Sequence, residues 1–116
     1  MISAGTILQL QAALILQTFT TAVYTTNTLH LSRSFGDLAG TLMNGSLVII
    51  KLKECALLHG LDTLQAETIF ANDIRPMRCW SRVSTIRSEL WILNAAGSWQ
   101  FFEIPGDGIR EVFHDG

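Results

Sequence analysis

The stretch RPMRCWSRVSTIR, residues 75–87, carries Arg75, Arg78, Arg82 and Arg87, with Trp80 among them and no acidic residue from position 74 to 88. Guanidinium groups beside an aromatic ring can grip phosphates while the ring stacks on a base. The same two residue types are enriched at protein interfaces. The spacing matches no nucleic-acid-binding motif, and a formal net charge of −2 gives the chain no long-range attraction to a polyanion. Nucleic acid is therefore not the expected partner. Arg75, Arg78, Trp80 and Arg82 are expected at a contact with another protein, the bland alternative being a solvated edge strand or loop.

The other reactive side chains form no recognisable constellation. His30, His59 and His114 lie far apart, and Cys55 with His59 makes only two of the four ligands a structural zinc site needs. No metal or cofactor is expected. No nucleophile elbow and no cysteine–histidine signature is present, so no catalytic residue is assigned. Glu54, Asp62, Glu67, Asp73 and Glu89 could converge in a cavity between helix and sheet, but nothing in their spacing requires it. The Gly106-Asp107-Gly108 turn with Glu111 and Asp115 resembles a fragment of a calcium loop without its ladder of alternating ligands. The segment FGDLAG (35–40) lacks the spacing and the lysine of a phosphate-binding loop. Cys55 and Cys79 are expected as buried free thiols, with a disulfide as the alternative.

Whatever these residues do, other elements must hold them. The first 32 residues contain no Asp, Glu, Lys or Arg. Across the chain, charged residues make up 16%, against about 25% for an average soluble domain. Arginine outnumbers lysine six to two, which favours paired over free cations. A membrane span needs about 20 mostly apolar residues, whereas the longest unbroken apolar run here is 12–16, bracketed by Gln9, Gln11, Gln17 and Thr18. No span is expected. Nothing basic precedes Arg33, so no secretory signal is expected either.

Helical periodicity accounts better for the opening segment. At 100° per residue, Leu8, Ala12, Ile15, Leu16, Phe19, Ala22 and Val23 fall on one arc free of polar residues. The spacing predicts a helix over residues 4–24 with Ser3 as N-cap, its end blurred by the threonine-rich TTAVYTTNT. The far side carries Gln9, Gln17, Thr21 and Tyr24 around a second stripe of Ile7, Leu10 and Leu14. A helix face meant for water normally carries Lys and Glu. A face that keeps amides and hydroxyls but no charge suits burial against a partner chain. Gln9, Gln17, Thr21 and Tyr24 are therefore expected at a subunit interface, the alternative being a central helix buried within its own domain.

Downstream, SRSFGDLAG (32–40) reads as a loop and Asn44-Gly45 as a hairpin turn. Residues 46–53 read as a strand with Val48, Ile50 and Leu52 on one face and Lys51 and Lys53 on a wet one. Asp62 and Gln65 fit a capping box for a short helix that Pro76 would end, in competition with a strand through ETIFANDI. Residues 89–93 and 98–104, rich in aromatic and branched side chains, flank Asn94-Ala95-Ala96-Gly97 as a second hairpin. The tail is a short strand or a loose end.

The chain of 116 residues is thus expected as a single domain of α+β class. A long N-terminal amphipathic helix packs on an antiparallel sheet of four to five strands in a single pair of layers, with an all-β sandwich or barrel as the alternative. The expected function is a non-enzymatic structural or interaction subunit of a homo-oligomer or larger assembly, of which a virion is one example. Its partners are other copies of itself or another protein, and it is soluble, intracellular or particle-associated. A second reading is a small enzyme or ligand-binding domain with an apolar pocket lined by tryptophans and carboxylates. A third is a nucleic-acid-binding module built on the 75–87 arginines.

Overall fold

The computed structural model describes residues 4–26 and 35–114. Ser3, His30, Arg33 and Asp115 lie outside them, as do the first residues of the expected loop at 32–40. The described residues form α1 (Ala4–Gln17), β1 (Thr20–Thr25), β2 (Leu38–Leu42), β3 (Leu47–Glu54), α2 (Thr63–Ile69), α3 (Ala71–Val83), β4 (Arg87–Leu93), β5 (Trp99–Glu103) and β6 (Arg110–Val112). The class is α+β.

The sheet departs from the expected one. It has six strands, laid side by side in chain order, and it is mixed: β3 and β4 run parallel while every other neighbouring pair is antiparallel. A parallel connection cannot be a tight turn and needs a crossover. Here α2 and α3 make it. They cover the sheet face opposite α1, so the architecture has three layers rather than two.

The N-terminal helix is shorter than its periodicity suggests. It ends at Gln17, and TTAVYT becomes the edge strand β1. Threonine supplies the reason. The Thr18 hydroxyl donates to the Ile15 carbonyl at 2.6 Å and the Thr20 hydroxyl to the Leu16 carbonyl at 2.7 Å. These hydroxyls, with the Thr18 and Phe19 amides donating to the same two carbonyls, satisfy acceptors that the last helical turn leaves orphaned. The β-branched run beyond them prefers the pleated surface of a strand.

Alternation along the strands sorts two cores. Leu38, Val48, Ile50, Leu52, Trp91 and Phe101 pack under Ala12 and Leu16 of α1. Leu90, Ile92, Phe102 and Ile104 pack under Leu61, Ala66, Phe70, Ile74 and Met77 on the α2–α3 side. The face of β3 expected to be wet is therefore covered: Ile49 is fully buried, and Lys53 reaches Asp73 of α3 at 3.4 Å.

Local signals are met in detail. Gly45 takes φ 89° in the β2–β3 hairpin, the left-handed conformation that glycine tolerates without a Cβ clash. Asp62 caps α2, accepting from the Gln65 amide at 2.7 Å while the Gln65 side chain accepts from the Asp62 amide at 3.1 Å. Pro76, expected to end the helix, instead lies inside α3. It is the sixth of the thirteen residues of α3, and the carbonyl deprived of its partner belongs to exposed Asn72, where water can serve it. FGDLAG is loop only at its start, since Leu38 opens β2.

Gly36 marks a tight contact between that loop and β3. A Cβ there would fall 2.3 Å from Ile49 Cγ2 and 2.9 Å from the Ile50 carbonyl oxygen. The backbone oxygen cannot step aside as a flexible side chain would. Gly36→Ala is expected to lower the unfolding free energy by about 2 kcal/mol in urea denaturation, the usual cost of overpacking. An unchanged midpoint would show that the loop relaxes freely.

Candidate functional site

The structure divides the expected contact residues between two opposite faces of the sheet. Gln9 and Gln17 lie on α1 on one side, Thr21 and Tyr24 lie on the edge strand β1, and Arg75, Arg78, Trp80 and Arg82 belong to α3 on the other side. No single flat contact can use both sets.

On the first face, Ala12 and Leu16 point into the core while Ile7, Leu10 and Leu14 point out, with 46%, 55% and 67% of their surfaces exposed. The outer stripe thus remains uncovered in a single chain. Between α1 and β1 runs a groove of about 190 Å³, lined mainly by Leu10, Ala13, Val23 and Leu38, with Gln9 and Tyr24 also on its walls. Gln17 and Thr21 are exposed beyond it, and the Thr21 hydroxyl donates to the Thr41 carbonyl at 3.3 Å. Gln9 and Tyr24 therefore line one groove, while Gln17 and Thr21 are exposed outside it.

On the second face, Arg75, Arg78 and Arg82 follow one another along α3 and line a groove of about 300 Å³ with Glu67, Ala71, Ile74 and Cys79. Trp80 is not part of it; its ring stacks on Phe35 with centroids 5.0 Å apart. Arg87 has left the set altogether. It lies on β4 and pairs with Glu89 and Glu103. The arginine-rich stretch is helix followed by strand, not edge strand or loop.

A third cluster has no counterpart in the sequence reading. Glu89, 1% exposed, sits on the α1 side of β4 and receives three donors. His114 Nε2 lies 2.7 Å from Oε1, Trp91 Nε1 donates to the same oxygen at 2.9 Å, and Arg87 Nε donates to Oε2 at 2.6 Å. The His114 ring lies flat on Phe19, with centroids 4.1 Å apart and planes 8° apart, and meets Phe101 edge-on at 4.9 Å. Burial by itself would push the Glu89 carboxyl up. The hydrogen bonds from His114 and Trp91, and the charges of His114 and Arg87, outweigh it and hold the carboxyl below its ordinary value of 4.5. An ionised carboxylate only accepts, so Nε2 of His114 carries the proton.

This cluster ties the end of the chain to the joint between α1 and β1, where Phe19 sits. Glu89 lines neither groove. The remaining carboxylates do not converge: Asp62 caps α2, Glu67 pairs with Arg78, Asp73 pairs with Lys53, and Glu54 is exposed. The tryptophans are likewise divided, Trp91 and Trp99 on one side and Trp80 on the other. Both cysteines are free, but neither is buried as expected: Cys55 is half-buried and Cys79 exposed. Among the described residues no three His, Cys, Asp or Glu side chains gather as metal ligands, and no helix is long and apolar enough to cross a membrane. No family model, curated protein or solved structure matches the chain.

A carboxyl held low in the folded state binds a proton more readily once unfolded. Its stabilising contribution is complete above the ordinary carboxylate range and is lost as pH falls through the lowered folded value. Glu89→Gln is expected to cost about 3 kcal/mol at neutral pH, the price of leaving His114 and Arg87 beside an uncharged partner. It should also flatten the acid limb of stability measured by urea denaturation as pH falls below about 5. An acid limb as steep as that of the parent chain would assign the acid sensitivity to other carboxylates.

Proposed function

We propose that the chain is a non-catalytic interaction subunit that associates with copies of itself through the outer face of α1. One observation carries this reading. Ile7, Leu10 and Leu14 form a continuous stripe at helical spacing, each about half exposed or more, on a 14-residue helix. No charged side chain lies on that helix or on β1 beside it. Monomeric proteins seldom leave such a stripe bare, and apolar patches of this kind mark contact surfaces.

The absence of charge also favours a second copy as the occupant. About a two-fold axis, each residue on the axis meets itself. A stripe bearing Lys or Glu would set like charges against one another, whereas a neutral stripe meets its own image without repulsion. The groove beside α1 offers a recess for apolar side chains of the partner helix, and the Gln9 amide on its wall retains hydrogen-bonding capacity. Larger assemblies, including particles of the virion type, are an extension of the same contact.

Size-exclusion chromatography with light scattering at low micromolar concentration is expected to give a dimer or larger species that persists in high salt. Leu10→Glu with Leu14→Glu places like charges at the contact and should weaken association about a hundredfold. Both side chains already face solvent, so the variant should keep its circular dichroism spectrum. A wild-type chain that remains monomeric at these concentrations would refute the proposal.

A further inference from the structure

The α3 groove lies on the opposite face of the sheet and is independent of that contact. We infer that it is a docking site for an acidic segment of another protein, held through Arg75 and Arg82 with Arg78 fixed between them.

The three arginines stand at i, i+3 and i+7, so they occupy one side of α3 over two turns, about 10 Å along the axis. They are not equivalent. Arg78 is already committed: it binds Glu67 Oε2 at 2.7 Å and donates to the carbonyls of Pro105 and Gly108 in the loop before β6. Its task is to pin that loop to the helix. Arg82 donates only its Nε, to the Gly106 carbonyl at 2.9 Å, and its two terminal nitrogens make no hydrogen bond among the described residues. Arg75 makes neither an ion pair nor a hydrogen bond among them, and it is exposed.

The stem of Arg82 is held in place. A Cβ on Gly106 would fall 2.8 Å from Arg82 Cγ, so the side chain crosses the loop at a position where glycine leaves room for it. Two guanidinium groups, one seated and one free, therefore flank a committed third. The lining carries three positive charges against the single negative charge of Glu67. Ala71 is exposed on the groove wall, while Ile74 beneath belongs to the core.

Charge decides the sign of the occupant, and the spacing of the two available guanidinium groups decides its kind. A guanidinium grips a carboxylate through two parallel hydrogen bonds. Carboxylates about 9 Å apart and on one side occur three residues apart on a polyproline II peptide, which turns once every three residues and rises about 3.1 Å per residue. A nucleic acid fits less well. The chain's formal net charge of −2 opposes a long polyanion, and no ring lines the groove to stack on a base, since Trp80 packs on Phe35. The neutral α1 face of a second copy offers no carboxylate to this groove.

Cys79 on the groove wall supplies a native reporter. In a Cys55→Ala background, the rate of maleimide alkylation at Cys79 is followed while a Glu-Pro-Pro-Glu peptide, held in the polyproline II form, is titrated in. A deoxythymidine oligonucleotide and inorganic phosphate serve as comparators. The peptide is expected to slow alkylation in a saturable way, and its affinity should fall between about 50 and 300 mM salt. Arg75→Gln and Arg82→Gln should each weaken it about tenfold, with the oligomeric state unchanged. Absence of protection, equal affinity in the doubly substituted chain, or stronger protection by the oligonucleotide or phosphate would each overturn the inference. None of these results bears on association through α1.

Discussion

The parallel pairing of β3 with β4 is the constraint from which the rest of the architecture follows. Seven residue pairs, from Val48 with Arg87 to Glu54 with Leu93, set these strands side by side in the same direction. The chain must then travel the length of the sheet and return, and α2 and α3 are that return path. Because they occupy one face, α1 is left with the other. The seam thereby creates the second core, buries Ile49 and keeps the arginines of α3 apart from the uncharged surface of α1. An all-antiparallel meander of the same strands would have left one face to water.

Near that seam sits the most costly group in the molecule. A carboxylate with 1% exposure survives because three donors converge on it, and two of those donors come from its own strand. The third, His114, arrives from the far end of the chain and is held flat against Phe19. Hydrophobic residues of similar volume could often stabilise such a site equally well. What the ionic cluster adds is direction: the tail has one place to go, and the joint between α1 and β1 acquires a lid. The position of α1 on the sheet therefore depends on residues almost a whole chain length away.

Signals confined to a few residues were legible in the sequence. Asn44-Gly45, the Asp62–Gln65 box and the hairpin around Asn94–Gly97 each carry their geometry in adjacent side chains, and each forms as read. The inward arc of α1 was also legible, through Leu8, Ala12, Ile15 and Leu16. Its end was not, because helical periodicity runs on through Ala22 and Val23 while threonine hydroxyls have already closed the helix. Pro76 misled in the opposite sense, since burial of Ile74 and Met77 on either side of it carries α3 through the proline. The parallel seam joins segments separated by the whole crossover, and no local pattern announces it. Glu89 and His114 stand 25 residues apart. The one available hint was a glutamate two positions before a tryptophan in the apolar run SELWIL, where alternation puts both on the same face. The arginine stretch was visible as charge, but only the fold could show that Arg87 turns away and that Arg78 is spent on a loop.

The order of the strands has a mechanical consequence. β1 and β6 form opposite margins of the sheet, yet the ring of His114 beyond β6 lies flat on Phe19 before β1. Tension that draws the two margins apart therefore meets this clasp, with its tie to Glu89, before it reaches the strand ladders. The clasp would open first, the outer hydrogen bonds would then yield in turn, and the central parallel seam would be the last part to come undone.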